Sequence, residues 1–251
     1  MTQPHIDQLA SGLLTQIAAF ADAVDAADWD APVPTCPEWP LRVLVGHLGQ
    51  APRWAAGIVR GAGNAPDGIP DPREAVPPRD WRTWLLAGAS ELVEAVRAIG
   101  PGTPVWTLTG PGPASFWLRQ ATHDISVHAV DAALVAGVPY ALEPDLSADA
   151  VTQYLELLSS PVAEALKPAV AALRGAGSIG LRPSEGAIEG WVITRTPTGV
   201  SWRRGPGPTD VTVTGAVEDL LLVLMRRLPP RRVAIEGDGQ LFDHWLAHSA
   251  L

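Results

Sequence analysis

Arg119-Gln-Ala-Thr-His-Asp-Ile-Ser-Val-His-Ala-Val-Asp131 sets Asp124, His128 and Asp131 at spacings of four and three residues. On a helix of 3.6 residues per turn, positions i, i+4 and i+7 fall on one face. Asp124 and His128 are then about 40° apart around the axis, whereas His123 and His128 are about 140° apart, so Asp124 is the geometric partner of His128. A carboxylate and an imidazole side by side can both ligate a divalent metal, given a third ligand from another segment. His47, in the middle of an otherwise apolar helical segment, is the candidate. Two histidines and one carboxylate would leave coordination positions open, the arrangement of catalytic sites and not of structural ones. Asp131 is placed to accept a hydrogen bond from the second nitrogen of a ligand histidine.

The segments around this stretch predict what carries it. Ile6, Leu9, Leu13, Ile17, Phe20 and Val24 repeat at three- and four-residue spacing, an amphipathic helix. Asp28 to Glu38 is a proline-rich break, and Pro40 suits the first turn of a second helix bearing Leu41, Leu44, Val45, Leu48, Ile58 and Val59. Gly61 to Pro78 reads as a loop, Arg79 to Ile99 as a third helix, Gly100 to Pro113 as a second breaker-rich loop, and Ala114 to Ala136 as a fourth helix stopped by Gly137 and Pro139. Four long amphipathic helices in succession predict a bundle, whose core is a known place for metal sites.

After Pro144 the pattern changes. Leu146 to Leu173 is helical in character, interrupted by Pro161 and Pro168. Ser178–Arg182, Gly190–Thr194, Gly199–Arg203 and Asp210–Thr214 are short, turn-bounded segments that read as strands. Ala216 to Arg227 then reads as a helix, Arg232–Ile235 as a last strand and Gly239 to His248 as a closing helix. The expected fold class is therefore α+β: a four-helix bundle over residues 1–143 followed by a small α+β domain over 144–251.

Composition narrows the function classes. A formal charge of -9 without long acidic runs disfavours nucleic acid and anionic membrane as partners. No apolar run approaches the ~20 residues that span a bilayer, and no basic-then-apolar signal pattern opens the chain. Cys36 is the single cysteine, so no internal disulfide forms, and a reducing cytoplasm is the expected compartment. Lys167 is the only lysine and Asn64 the only asparagine amid abundant Ala, Gly and Pro, the bias of a high-GC genome such as an actinobacterium's.

Each of these side chains also has a plainer reading. Asp124 and His128 suit a solvated i,i+4 ion pair as well as a ligand pair. A lone mid-helix histidine such as His47 is often simply hydrogen-bonded and half-buried. His5, His244 and His248 lie near the termini and read as surface residues. Cys36 reads as a packed cysteine or a reactive thiol, and the ten tryptophans as core anchors.

Three stretches together resemble one family. Val33-Pro-Thr-Cys-Pro-Glu-Trp39 with Leu44-Val-Gly-His-Leu48 resembles the opening of the mycothiol-dependent maleylpyruvate isomerase family, part of the DinB/YfiT-like group of metal-binding four-helix bundles. Arg119 to Asp131, with Ala132-Ala-Leu-Val-Ala-Gly-Val-Pro139, resembles its fourth helix, and Gly215-Ala-Val-Glu-Asp-Leu-Leu-Leu222 through Glu236-Gly-Asp238 its appended sterol-carrier-protein-like domain. Carried over by position, the resemblance puts the metal ligands on His47, Asp124 and His128. The family commonly has Glu where this chain has Asp124, shorter by one methylene. A functional arginine falls on Arg227, with Arg226 beside it as the other register.

The resemblance implies an enzyme that takes mycothiol as thiol cosubstrate, holds a divalent metal, expected to be Zn²⁺, and acts as an isomerase or S-transferase on a small electrophile. Arg227 would clamp a substrate carboxylate in bidentate fashion. The expected partners are therefore mycothiol and a small molecule, with the chain a monomer or homodimer. A metal-activated hydrolase and a non-catalytic metal- or ligand-binding protein of the same fold are the alternatives.

Overall fold

The computed structural model describes residues 5–61, 66 and 68–250. Positions 62–65 and 67 of the loop expected from Gly61 to Pro78 lie outside the described residues. Contacts divide the chain into two compact units, Pro4–Leu142 and a second from Glu143 onward.

The first unit is built on four helices: α1 (Ile6–Asp25), α2 (Leu41–Arg60), α3 (Trp81–Ile99) and α4 (Ser115–Ala136). α1 packs along α4, where Thr122 Oγ1 donates to the carbonyls of Leu118, 2.8 Å, and Leu9, 3.1 Å. α2 packs along α3, where the Arg53 guanidinium donates to the Trp84 carbonyl, 2.7 Å. Salt bridges from Arg82 to Asp22 and Asp25, and from Arg97 to Asp7, tie α3 to α1. The interface between α2 and α3 is close because Gly49 has no side chain; a Cβ there would overlap the Trp84 indole.

α4 departs from the amphipathic expectation. No residue from Ser115 to Ala136 is exposed. Two of its hydroxyls turn back to helix carbonyls, Thr122 Oγ1 to Leu118, 2.8 Å, and Ser126 Oγ to Thr122, 2.7 Å. The helix ends where Gly137 enters the left-handed region, φ 67°, and its N–H bonds the Ala133 carbonyl.

Both breaker-rich connections fold into small hairpins that were expected as loops. β1 (Pro32–Val33) pairs with β2 (Cys36–Pro40), and β3 (Pro104–Thr107) with β4 (Gly110–Pro113). Strands of two to five residues are too short for alternating hydrophobicity to register. Backbone bonds from Leu41 N to Ala31 O, 3.0 Å, and from Arg42 N to Trp29 O, 3.0 Å, fasten the first hairpin to the start of α2. Pro40 is the residue capping α2, one position before the predicted first turn.

The second unit is a five-stranded sheet with helices, so the α+β class is observed as expected. β5 (Ser178–Pro183), β6 (Trp191–Thr196), β7 (Gly199–Arg204), β8 (Val211–Gly215) and β9 (Ala234–Gly237) lie in the order β7-β6-β5-β8-β9, with only β5 and β8 parallel. α5 (Pro144–Leu158) and α6 (Ala163–Leu166) precede the sheet, a 3₁₀ segment, Pro168–Leu173, leads into it, and α7 (Val217–Leu224) and α8 (Gly239–His248) follow. Trp191, Trp245 and Phe242 are its largest fully buried side chains.

α7 stops three residues short of the expected Arg227. Arg226 takes a left-handed conformation, φ 58°. Its N–H then bonds Val223 O, 3.0 Å, and that of Arg227 bonds Leu222 O, 2.7 Å, a Schellman closure with arginine at the usual glycine position. His244 and His248, expected at the surface, are half-buried, hydrogen-bonded to the carbonyls of Ala172 and His244, each 2.8 Å. Among the described residues no helix is long and apolar enough to cross a membrane.

Replacing Gly49 by alanine should lower stability by about 1–3 kcal/mol, the usual range for overpacking. Chemical denaturation of the Gly49→Ala variant measures it, and an unchanged midpoint would contradict the tight α2–α3 contact.

Candidate metal centre

His47 comes from the second turn of α2, and Asp124 and His128 from successive turns of α4. One ligand atom from each lies within 4.8 Å of the others. Asp124 turns one oxygen to each imidazole: Oδ2 is 3.3 Å from His47 Nε2 and Oδ1 is 3.5 Å from His128 Nε2. Two imidazoles and a carboxylate gathered this closely are a donor set of the kind that holds a divalent metal. The shorter aspartate therefore reaches both histidines. The imidazole planes are nearly perpendicular, with centroids 5.4 Å apart, and the Trp39 indole meets His47 edge-on at 5.7 Å.

Behind the cluster stands a buried carboxylate. Asp131 is 1% exposed and its Oδ2 lies 2.8 Å from His128 Nδ1. An ionised carboxylate only accepts, so this contact takes Nδ1–H as its donor and leaves Nε2 as the nitrogen that would ligate a metal. Asp131 Oδ1 in turn accepts from Thr35 Oγ1, 2.6 Å. Thr35 stands at the turn of the β1–β2 hairpin, which packs on α4. The spacing of α4 pointed to Asp131, but Thr35 lies 96 residues away and only the hairpin brings it in. In the sequence it shows only as a hydroxyl in the Asp28–Glu38 break, inside the Val33–Trp39 stretch.

His47 titrates above its ordinary value of 6.5: burial lowers its pKa, and the hydrogen bond and negative charge of Asp124 together raise it by more. In the metal-free protein this pair favours the imidazolium. Its contribution to stability is thus full below pH 6.5 and is lost as the pH rises through the raised value. Metal binding has the opposite sign, since the ligand must be neutral.

His47 and Asp124 also form part of the wall of a cavity of about 170 Å³ within the first unit. Trp54, Trp117, Leu108, Ile69 and Pro70 supply much of the rest, with Gln50 and Gln120 as neutral polar groups. Trp54, Trp106 and Trp117 pack as a cluster with centroids 5.1–6.3 Å apart. Trp117 Nε1 donates to Trp106 O on the second hairpin, 2.8 Å, and Trp54 Nε1 to Gly68 O, 3.1 Å.

Arg227, the other expected site residue, belongs to the second unit and is not part of the three-residue cluster. Its Nη1 donates to Met225 O, 2.8 Å, and it shares an open depression with Arg226, Asp243 and Leu246.

Residues 11–133 match the family described as the mycothiol maleylpyruvate isomerase N-terminal domain. The first unit belongs to that family. All three clustered residues lie inside the matched segment, and Arg227 lies outside it. The fold of 94% of the chain is shared with 96% of a crystal structure of the mycothiol-dependent maleylpyruvate isomerase, at TM-score 0.63 and 15% identity. A histidine-to-alanine mutant of that isomerase matches over the same shares, at TM-score 0.64 and 14% identity. At such identities the likeness is one of fold. No curated protein matches the sequence.

Asp131→Ala should weaken Zn²⁺ binding about 10–100-fold, as loss of a histidine's supporting carboxylate does elsewhere. Thr35→Val should weaken it in the same direction by less, and competition with a chromogenic chelator measures both. In the wild type, Zn²⁺ affinity should fall as the pH is lowered through the raised pKa of His47; an affinity independent of pH across the neutral range would contradict a neutral His47 ligand.

Proposed function

We propose that the chain is a metal-dependent, mycothiol-using isomerase or S-transferase acting on a small electrophile. The observation that supports this most directly is the convergence of His47, Asp124 and His128, three donors from two helices beside a cavity, in a segment of mycothiol maleylpyruvate isomerase type. Zn²⁺ bound by these residues would hold a sulfur ligand as the thiolate at neutral pH. The remaining work falls to the protein. Asp131 and Thr35 would hold the His128 ring with Nδ1 toward Asp131, which presents Nε2 to the metal. Asp124 sits between the two imidazoles and sets their separation.

The reaction follows from thiolate and electrophile. The sulfur forms an S–C bond to the β-carbon of an enone as the C=C π bond breaks, and the electron pair moves to the carbonyl oxygen as an enolate. Rotation about the new single bond and expulsion of the thiolate restore the alkene in the other geometry, with no net change in protons. If solvent instead protonates the α-carbon, the product is a stable S-conjugate. Family resemblance gives Arg227 the carboxylate end of the substrate, a role suited to its planar fork of N–H donors.

Purified wild type should carry near-stoichiometric zinc, and His47→Ala and Asp124→Ala should both lose it together with mycothiol-dependent turnover. Elemental mass spectrometry and a thiol-consumption assay read the two losses. A wild type that neither contains nor takes up zinc would overturn the proposal. Turnover indifferent to mycothiol would point to water on the metal, a hydrolase.

A further inference from the structure

The cavity beside the metal cluster restricts what kind of electrophile can occupy it. Among the described residues that line it, none is arginine or lysine. Of the described lining residues, the ionisable ones are His47 and Asp124, and both belong to the metal cluster. Beyond the metal cluster, a carboxylate against these walls would lose water and meet no cation, with only the Gln50 and Gln120 amides to receive it, which is unfavourable. The three arginines of α2 are engaged elsewhere: the Arg53 guanidinium donates to the carbonyls of Gly49 and Trp84 and faces Glu91, Arg42 pairs with Asp30, and Arg60 pairs with Glu91.

The tryptophans point the same way. The indole N–H of Trp54 is used by Gly68 and that of Trp117 by Trp106. They therefore offer an occupant ring faces and edges and no donor. Leu108 and Ile69 add aliphatic surface, and Gln50 and Gln120 are neutral. Apolar walls with a few uncharged polar groups favour a neutral, apolar arm, and aromatic arms gain further from edge and offset contacts with indoles.

We infer that this cavity holds the uncharged aromatic or apolar arm of the electrophile, so the substrate class is an aryl- or alkyl-substituted enone carrying at most one carboxylate, at the end away from the cavity, and not a dicarboxylate charged at both ends. The inference rests on the proposed thiol chemistry only in placing the reactive carbon at the metal. The character of the cavity stands apart from it.

Binding and turnover are therefore measured separately on the zinc-loaded protein. For binding, calorimetry compares two unreactive ketones, benzoylpropionate, with a phenyl arm and one carboxylate, and ketopimelate, with a carboxylate at each end. Benzoylpropionate should bind at least tenfold more tightly. Trp54→Ala should remove most of that preference, and Gln50→Arg, which adds a cation to the wall, should shift it toward ketopimelate. Unchanged zinc content in each variant shows that the site has folded. For turnover with mycothiol, cis-benzoylacrylate should be consumed at higher kcat/KM than maleylpyruvate.

Equal or tighter binding of ketopimelate to the wild type, or a preference that survives in Trp54→Ala, would overturn the inference. Faster turnover of maleylpyruvate would overturn it too, while leaving the thiol-dependent function intact. Selective benzoylpropionate binding without thiol-dependent turnover of any electrophile would sustain the cavity assignment and sink the proposed reaction.

Discussion

Asp131 is a carboxylate almost wholly removed from water, and it is held by two partners from different parts of the chain. Left without either partner, a buried charge of this kind is costly. The fold around the metal cluster is arranged so that neither is missing. α4 supplies His128 one turn before Asp131, and the β1–β2 hairpin lays Thr35 against the other oxygen. Because the hairpin is tied by its backbone to the start of α2, the same contact also fixes the helix that carries His47. One buried hydrogen-bond chain thus couples the orientation of one prospective ligand to the placement of another.

The helices make this possible by what they exclude. No residue of α4 is exposed, and several of its polar residues bond helix carbonyls or partners brought to them. Thr122 and Ser126 turn back to carbonyls, and His128 turns to Asp131. Asp124, half-buried, is left facing the cavity and His47. On the far side of α2, Gly49 lets the Trp84 indole seat directly on the helix. Trp54 and Trp117 then form a wall whose donors are already satisfied, which gives the cavity its neutral character.

Much of this was legible in the residues. Helical spacing placed Asp124, His128 and Asp131 on one face, and a histidine in an apolar helix singled out His47. The order of helices, then strands, followed from where the hydrophobic period shortens, near residue 177. The differences have local physical causes. Two connections rich in Pro and Gly were expected as loops and are hairpins, because short strands carry no periodic signal. α7 was expected to reach Arg227 and stops early because Arg226 takes the left-handed conformation that usually marks glycine. His244 and His248 were expected at the surface and are held by carbonyls.

By itself the sequence determined the elements and the chemistry they carry, since both depend on spacing within a single helix or strand. It set the Asp124–His128–Asp131 face and supplied His47, Thr35, Trp54 and Trp117 as types. Only the tertiary structure decided which of them meet. The 3.3 Å approach of His47 to Asp124, the bond from Thr35 to Asp131 and the tryptophan wall all join segments far apart in the chain. No periodicity records such distances; they follow from how helices pack and where two short hairpins fold back.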